Sequence, residues 1–228
     1  MKTSRAWLPW ALGTAIGVPL LFAALCWAIY AWGARSVPRV LPATASRAPA
    51  TIRTQYLAIE TGGATRMPRL NPVTFWLEHF RSAKGGGVAP DMRLLHSATR
   101  LVQSRDTAAR TQGQRHAAGI AYSIHIGRQW SFDQAVDTVL AESHFGRGSV
   151  GIETAAQAYF GVAASELRPQ ESLALIVLLR GPTWYDPDCR RERFVTRYAW
   201  AVERLGNAGP QWTPEAALSR MSARTCVR

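Results

Sequence analysis

Cysteine is scarce in this chain of 228 residues, and its three cysteines lack the spacing of a metal or redox centre. No two of them form a CxxC pair, which argues against a zinc site and against a thioredoxin-like centre. Cys26 lies in an apolar run, whereas Cys189 and Cys226 lie near the end of the chain. An extracytoplasmic location would allow a Cys189–Cys226 disulfide bond, and two free thiols are the alternative.

Acidic residues are also few, since 15 Asp and Glu face 27 Lys and Arg, which gives a formal net charge of +12. A basic balance of this kind suits nucleic acid, an anionic membrane surface or a phosphorylated substrate. The sequence has no Lys/Arg-rich helix, zinc spacing or RNA-binding aromatic signature. We therefore expect no nucleic-acid partner.

Charged residues are missing from Ala6 to Ala34, and aromatic residues lie at both ends of this apolar run. A helix needs about 20 apolar residues to cross the hydrocarbon core, and aromatic side chains favour its two interfaces. A cleaved signal peptide is the alternative, but the run is longer than a usual h-region and its Trp-rich end is a poor cleavage site. We predict an uncleaved anchor over residues 1–35, kinked at Pro19, and an extended linker over residues 36–50. Basic residues flank the run on both sides, so the positive-inside rule leaves its orientation open.

A convincing alternation of apolar and polar residues is missing too, so we predict no strand and a mainly α domain over residues 51–228. Helical spacing begins at Ile52 and stops at Gly62, which places Glu60 near a helix end. A carboxylate that faces a glycine loop is well placed for catalysis. The alternative is that Glu60 is simply a solvated residue at the end of a helix.

Other local signals place further helices in the second half of the chain. Gly127 is expected to end a buried helix, and Ser131 with Gln134 forms a capping box that begins the next one. Pro169 suits the first turn of a helix. The apolar run over residues 173–179 predicts that this helix lies at the centre of a core.

The stretch FGRGSVGIETAAQAYFG, residues 145–161, combines a glycine-rich turn with a short helix of small residues. It is followed in order by SEL (165–167), QESLAL (170–175), GP (181–182) and YDP (185–187). This ordered set resembles the family 51 glycosyltransferase domain, the peptidoglycan glycosyltransferase of monofunctional transglycosylases and bifunctional penicillin-binding proteins. The resemblance is strongest from Arg115 onward, and an uncleaved N-terminal anchor is also part of the family's order.

The resemblance implies a lysozyme-like, mainly α fold on the outer face of the bacterial cytoplasmic membrane, behind a single transmembrane helix. It implies a reaction that polymerises a lipid-pyrophosphate-linked disaccharide, in which a carboxylate acts as general base and a lipid pyrophosphate leaves. Such a site needs a desolvated carboxylate near the acceptor hydroxyl and cationic donors near the departing pyrophosphate. A divalent metal such as Mg²⁺ often assists, although the sequence assigns no metal ligand.

The catalytic half of the family pattern is only partly kept. By the resemblance, Glu60 is the general base, Ser97 is a substrate-site hydroxyl and Arg115 contacts the pyrophosphate. Gly119 stands where the family has a second acid, and several other motif positions are changed. Losing one such group typically costs about two to three orders of magnitude in rate.

Three functions therefore stay open at the level of sequence. The first is a divergent, membrane-anchored peptidoglycan glycosyltransferase. The second is a catalytically inactive relative that binds the lipid-linked precursor, the glycan or another protein of cell-wall synthesis. The third is a membrane-anchored scaffold whose basic face lies on anionic lipid.

Overall fold

The computed structural model describes residues 7–108, 111–206 and 212–226. Within these ranges the chain is built from helices and one short hairpin, so the predicted mainly α fold is confirmed. The elements in chain order are α1 (Trp7–Ala34), α2 (Ala50–Tyr56), α3 (Pro72–Arg81), α4 (Pro90–Ser104), α5 (Gln112–Gln129), α6 (Phe132–Glu142), β1 (His144–Gly146), β2 (Ser149–Val150), α7 (Ile152–Phe160), α8 (Pro169–Leu178), α9 (Arg191–Leu205) and α10 (Pro214–Leu218).

The packing divides the chain into two units, which are described separately. The described part of the first unit lies within residues 7–41, 69–88 and 102–129. The second unit lies within residues 42–68, 89–101 and 130–226. The predicted division into an anchor over 1–35, a linker over 36–50 and a domain over 51–228 stays a prediction.

The first unit contains α1, which is long and apolar enough to cross a membrane over Ala15–Ala34. The helix continues through Pro19, and apolar side chains such as Leu21 are exposed on it. It packs on α5, where a Cβ on Gly33 would lie only 2.0 Å from the Ala117 carbonyl oxygen. This close contact requires a glycine, because any side chain would collide with the backbone of the neighbouring helix.

Helix α5 differs from the prediction that Gly127 would end it. Gly127 is buried inside the helix, which continues to Gln129. A glycine inside a helix weakens it by only about 1 kcal/mol relative to alanine, so packing overrides the local signal.

The second unit is organised around α8, in which every residue from Glu171 to Leu178 is buried. The prediction of a central core helix is therefore confirmed. Helices α2, α9 and α10 pack against it. The Glu171 carboxylate accepts from the Arg168 amide at 2.9 Å and pairs with Arg220, so the buried charge is compensated.

The glycine-rich turn forms a small hairpin of β1 and β2, although no strand was predicted. Its strands are two and three residues long, too short for an alternating pattern to be visible in sequence. Arg147 in the turn has a φ of 51°, pairs with Asp188 and stacks on the Tyr159 ring at 4.0 Å. The Tyr159 hydroxyl donates to the Phe145 carbonyl at 2.9 Å. The most family-like stretch therefore carries structural contacts.

The segment predicted as a linker is extended but hydrogen-bonded in its second half. The Thr44 amide donates to the Thr138 hydroxyl at 2.9 Å, and the Ala48 amide donates to the Asp137 carboxylate at 3.1 Å. Asp137 also pairs with the buried Arg53. Further along the second unit, Cys189 and Cys226 form a disulfide bond, which selects one of the two alternatives left open by the sequence.

Candidate functional site

Glu60 lies in a π-helical turn, Leu57–Thr61, that follows α2 directly. The turn ends at Gly62, whose left-handed backbone conformation (φ 78°) reverses the chain. Single π-helical turns interrupt the regular hydrogen-bond register and occur frequently at functional sites. The glycine stop predicted from the sequence is present, and it leaves the Glu60 side chain on the last helical turn.

The Glu60 carboxylate is paired with Arg197 on α9, 137 positions later in the chain. Arg197 Nη2 donates to Glu60 Oε1 at 2.7 Å, and the two side chains are 17% and 12% exposed. Arg204 on the same helix donates to the Ala58 carbonyl at 3.3 Å. Two arginines of α9 thus hold the π-helical turn, and one of them occupies a carboxylate oxygen of the predicted base.

Arg197 is itself held in place by an aromatic neighbour. Its guanidinium lies 3.8 Å from the centroid of the Trp200 ring, a distance typical of a cation–π contact. Stacking of this kind fixes the plane of the guanidinium and leaves its N–H groups directed outward from the ring edge. The pairing with Glu60 is therefore preorganised.

The Ser97 hydroxyl and the Glu60 carboxylate both influence the pKa of the buried Tyr56 hydroxyl. Burial raises the pKa of Tyr56 above its usual value, the nearby Ser97 hydroxyl lowers it by less, and the Glu60 carboxylate raises it further. Within the described residues the Tyr56 hydroxyl has no hydrogen-bond partner, whereas Ser97 Oγ donates to the Arg93 carbonyl at 3.0 Å. A buried hydroxyl without a partner costs about 1–3 kcal/mol, and such groups call for a functional or solvent explanation.

Arg115 lies in the first unit, near the start of α5, and is exposed. Its backbone carbonyl lies 3.5 Å from Gln103 Nε2. Glu60 and Ser97 thus both lie in the second unit, whereas Arg115 lies in the first. The catalytic and binding roles of all three stay predictions.

The Gln103 amide lies beside Gly119, the position at which the family resemblance expects a second acid. A Cβ on Gly119 would lie 2.7 Å from Gln103 Nε2, closer than real Cβ contacts allow. An acidic side chain could enter here only if Gln103 moved away. Gly119 therefore has a polar packing partner, the flexible end of the Gln103 side chain.

The divalent metal that the family resemblance implied stays a prediction. Among the described residues, no group of three or more His, Cys, Asp or Glu side chains could hold a metal ion. Mg²⁺ prefers carboxylate oxygens, and the amide of Gln103 beside Gly119 provides none. No step is therefore assigned to a metal.

Two residues that contact predicted positions were not identified from the sequence, Arg197 in the second unit and Gln103 in the first. Arg197 carries a weak local signal, since Trp200 follows it at a helical i, i+3 spacing. Gln103 carries none, because its contact with Gly119 depends on how α4 and α5 meet.

The family comparison matches the part of the chain in which the sequence resemblance is strongest. The family model described as Transglycosylase matches residues 95–206. Penicillin-binding protein 2a of Streptococcus pneumoniae is 25% identical over 158 residues, which are 69% of this chain and 21% of that protein. Penicillin-binding protein 1A of Mycolicibacterium smegmatis is 26% identical over 145 residues (61% and 18%), and that of Rickettsia bellii is 32% identical over 92 residues (40% and 12%). This chain spans about a fifth of the length of the first two relatives, and Glu60 lies outside the matched family region.

Proposed function

Residues 95–206 belong to the transglycosylase family, and on that basis we propose that the chain is a membrane-anchored, peptidoglycan glycosyltransferase-like protein of cell-wall assembly. It binds a lipid-pyrophosphate-linked disaccharide and does not polymerise it. The second candidate function is that of an active peptidoglycan glycosyltransferase with Glu60 as general base. The largely buried Glu60 carboxylate in the π-helical turn supports it.

The observation that carries the proposal is the replacement of the second acid by Gly119 with the Gln103 amide beside it. By the family resemblance, this acid helps to position the pyrophosphate. Loss of one group that stabilises developing charge typically lowers the rate by about two to three orders of magnitude. An amide can still donate a hydrogen bond to a phosphate oxygen, so binding survives a change that strongly slows catalysis.

The contact between Glu60 and Arg197 supports the same conclusion. A general base must place a carboxylate oxygen within hydrogen-bond reach of the hydroxyl whose proton it takes. Glu60 Oε1 already accepts from Arg197 at 2.7 Å. An acceptor sugar could use Oε1 only by displacing a stacked, largely buried guanidinium, which halves the oxygens open to act as base.

Three features support a membrane location with the second unit on the outer side. Helix α1 exposes an apolar surface over the length of a bilayer core. In the same unit, Phe80 of α3 is exposed and its ring centroid lies 6.3 Å from that of Phe22 on α1, which extends the apolar surface beside the anchor. The Cys189–Cys226 disulfide suits an oxidising, extracytoplasmic compartment.

A binding titration of the full chain in detergent micelles tests the proposal. The ligand is a fluorescent lipid-pyrophosphate-linked disaccharide, and the comparison ligand is the same lipid without pyrophosphate and sugar. We expect saturable binding of the first ligand only, weakened about tenfold by Arg115→Ala through loss of a charge-assisted hydrogen bond. Arg128→Ala is the matched control, because Arg128 is an exposed arginine in the last turn of the same helix.

Equal binding of both lipids would show that the chain recognises only a lipid surface and would support the scaffold function instead. Equal loss of affinity in the Arg115 and Arg128 variants would remove the specific role of Arg115 and leave a general effect of charge.

A further inference from the structure

A groove of about 440 Å³ runs along α9 in the second unit, and no residue lining it was part of the predicted site. Its lining comes from one face of the helix and from the turn before it. The lining residues are Tyr185, Glu192, Arg193, Thr196, Arg197 and Trp200. This volume lies within the range of small-molecule sites in proteins.

The groove contains a cation, Arg193, that has no acidic partner among the described residues. The guanidinium of Arg193 lies 3.7 Å from the centroid of the Trp184 ring, which fixes its plane. In the part of the chain that the structure describes, Arg193 forms no ion pair. A stacked guanidinium presents a planar fork of donors that matches an oxyanion in two hydrogen bonds.

The second arginine of the groove has a donor without a partner. Arg197 Nη2 donates to Glu60, but its Nε is buried and has no acceptor among the described residues. Buried N–H groups without partners are unfavourable, so an acceptor supplied by a ligand would be stabilised here.

The charges and polar groups of the groove narrow the chemistry of the ligand. Glu60 already pairs with Arg197, so Arg193, beside the Glu192 carboxylate, supplies the positive charge left for a ligand, which suits a single negative charge better than a pyrophosphate. Tyr185 and Trp200 offer apolar ring surface, and Thr196 and Glu192 offer hydrogen-bonding groups for hydroxyls. We propose that the groove binds a carboxylate-bearing sugar, with its carboxylate on Arg193 and Arg197.

Such a ligand would also act on Glu60, because the two carboxylates would share the Arg197 guanidinium. Occupation of the groove weakens the hold of Arg197 on Glu60, and removal of the Glu60 charge strengthens binding in the groove. This coupling is reciprocal, as any coupling between two binding equilibria must be.

Calorimetric titration of the full chain in detergent micelles tests the groove with three soluble probes. N-acetylmuramic acid carries a carboxylate, N-acetylglucosamine is its neutral counterpart, and inorganic pyrophosphate is the alternative anion. We expect binding of the first probe, weakened about tenfold by Arg193→Ala through loss of a charge-assisted bidentate contact. Arg191→Ala is the matched control, since Arg191 lies on the same helix outside the groove, and it leaves the affinity unchanged.

The coupling has its own readout. Glu60→Gln is expected to tighten the binding of N-acetylmuramic acid several-fold, which would not happen if Glu60 had a purely structural role. Absent binding, equal affinity for the two sugars, tighter binding of pyrophosphate, or an Arg193→Ala affinity equal to that of the wild type would each overturn the proposal. Melting curves of each variant confirm that it is folded. The proposal is independent of the lipid-linked ligand, so a failed lipid titration does not decide it.

Discussion

Replacement of Gly151 by alanine is the sharpest available perturbation of the glycine-rich turn. Gly151 precedes α7 with a φ of 90° and a ψ of 153°, a conformation adopted almost only by glycine. Its amide donates to the Ser143 carbonyl at 2.8 Å, so the backbone cannot rotate without losing a hydrogen bond. A Cβ at this position would lie 2.3 Å from the Ala141 carbonyl oxygen.

Two effects add in the Gly151→Ala variant. The unfavourable backbone conformation costs about 1–3 kcal/mol, and forcing a methyl group into a closely packed site costs about 1–3 kcal/mol more. The neighbouring Gly148 also has a positive φ, 74°, but nothing lies within 4 Å of its Cβ position. Gly148→Ala therefore keeps only the conformational cost, about 1–2 kcal/mol.

Urea denaturation of the full chain in detergent micelles, followed by tryptophan fluorescence, measures both variants. We expect Gly151→Ala to lower the free energy of unfolding by about 2 kcal/mol more than Gly148→Ala does, from the additional collision. Equal losses in the two variants would refute the reasoning, because the contact with Ala141 would then carry no energy.

Three further predictions concern the second unit. The cysteines of the Cys189–Cys226 disulfide are 37 positions apart, and its reduction is expected to lower the free energy of unfolding by about 4 kcal/mol. Melting temperatures with and without dithiothreitol measure this loss. A variant with serine at both positions should not respond to the reductant. Arg53→Met leaves the buried Asp137 without its charged partner and should lower the free energy of unfolding in urea by about 3–5 kcal/mol. A loss below about 1 kcal/mol, the value of an exposed pair, would contradict this. Burial raises the pKa of Tyr159 from 10.0 to about 12, so the folded state holds this proton more tightly than the unfolded state does. The free energy of unfolding therefore falls as the pH rises from about 10 to about 12. In Tyr159→Phe it should fall less steeply over that range, and an unchanged slope would contradict the assignment.

The features predicted well from the sequence depend on neighbours along the chain. The Ser131 side chain accepts from the Gln134 amide and Gln134 reaches back, so this capping box is formed as predicted. Pro169 occupies the first turn of α8, also as predicted. Such signals act within one turn of helix, so the residues themselves are sufficient to show them.

The features that were missed depend on contacts between distant segments. Arg197 contacts Glu60 across 137 positions, and the pattern of α9 indicates only that its arginines lie away from the apolar face. The Gln103 amide beside Gly119 depends equally on the packing of two helices. Gly127 was predicted to end a helix, but it is buried inside α5 and the helix continues past it. The sequence could therefore locate the family region, but not the partners of its functional groups.

A polymerisation assay of the full chain is the direct test of whether the protein is catalytically inactive. Purified protein in detergent micelles is incubated with labelled lipid-pyrophosphate-linked disaccharide, and the products are separated by gel electrophoresis beside those of an active penicillin-binding protein 1A. We predict no glycan strands from the wild type, and the same result from Glu60→Gln. Strands made by the wild type and lost in Glu60→Gln would contradict the account and establish Glu60 as a working general base.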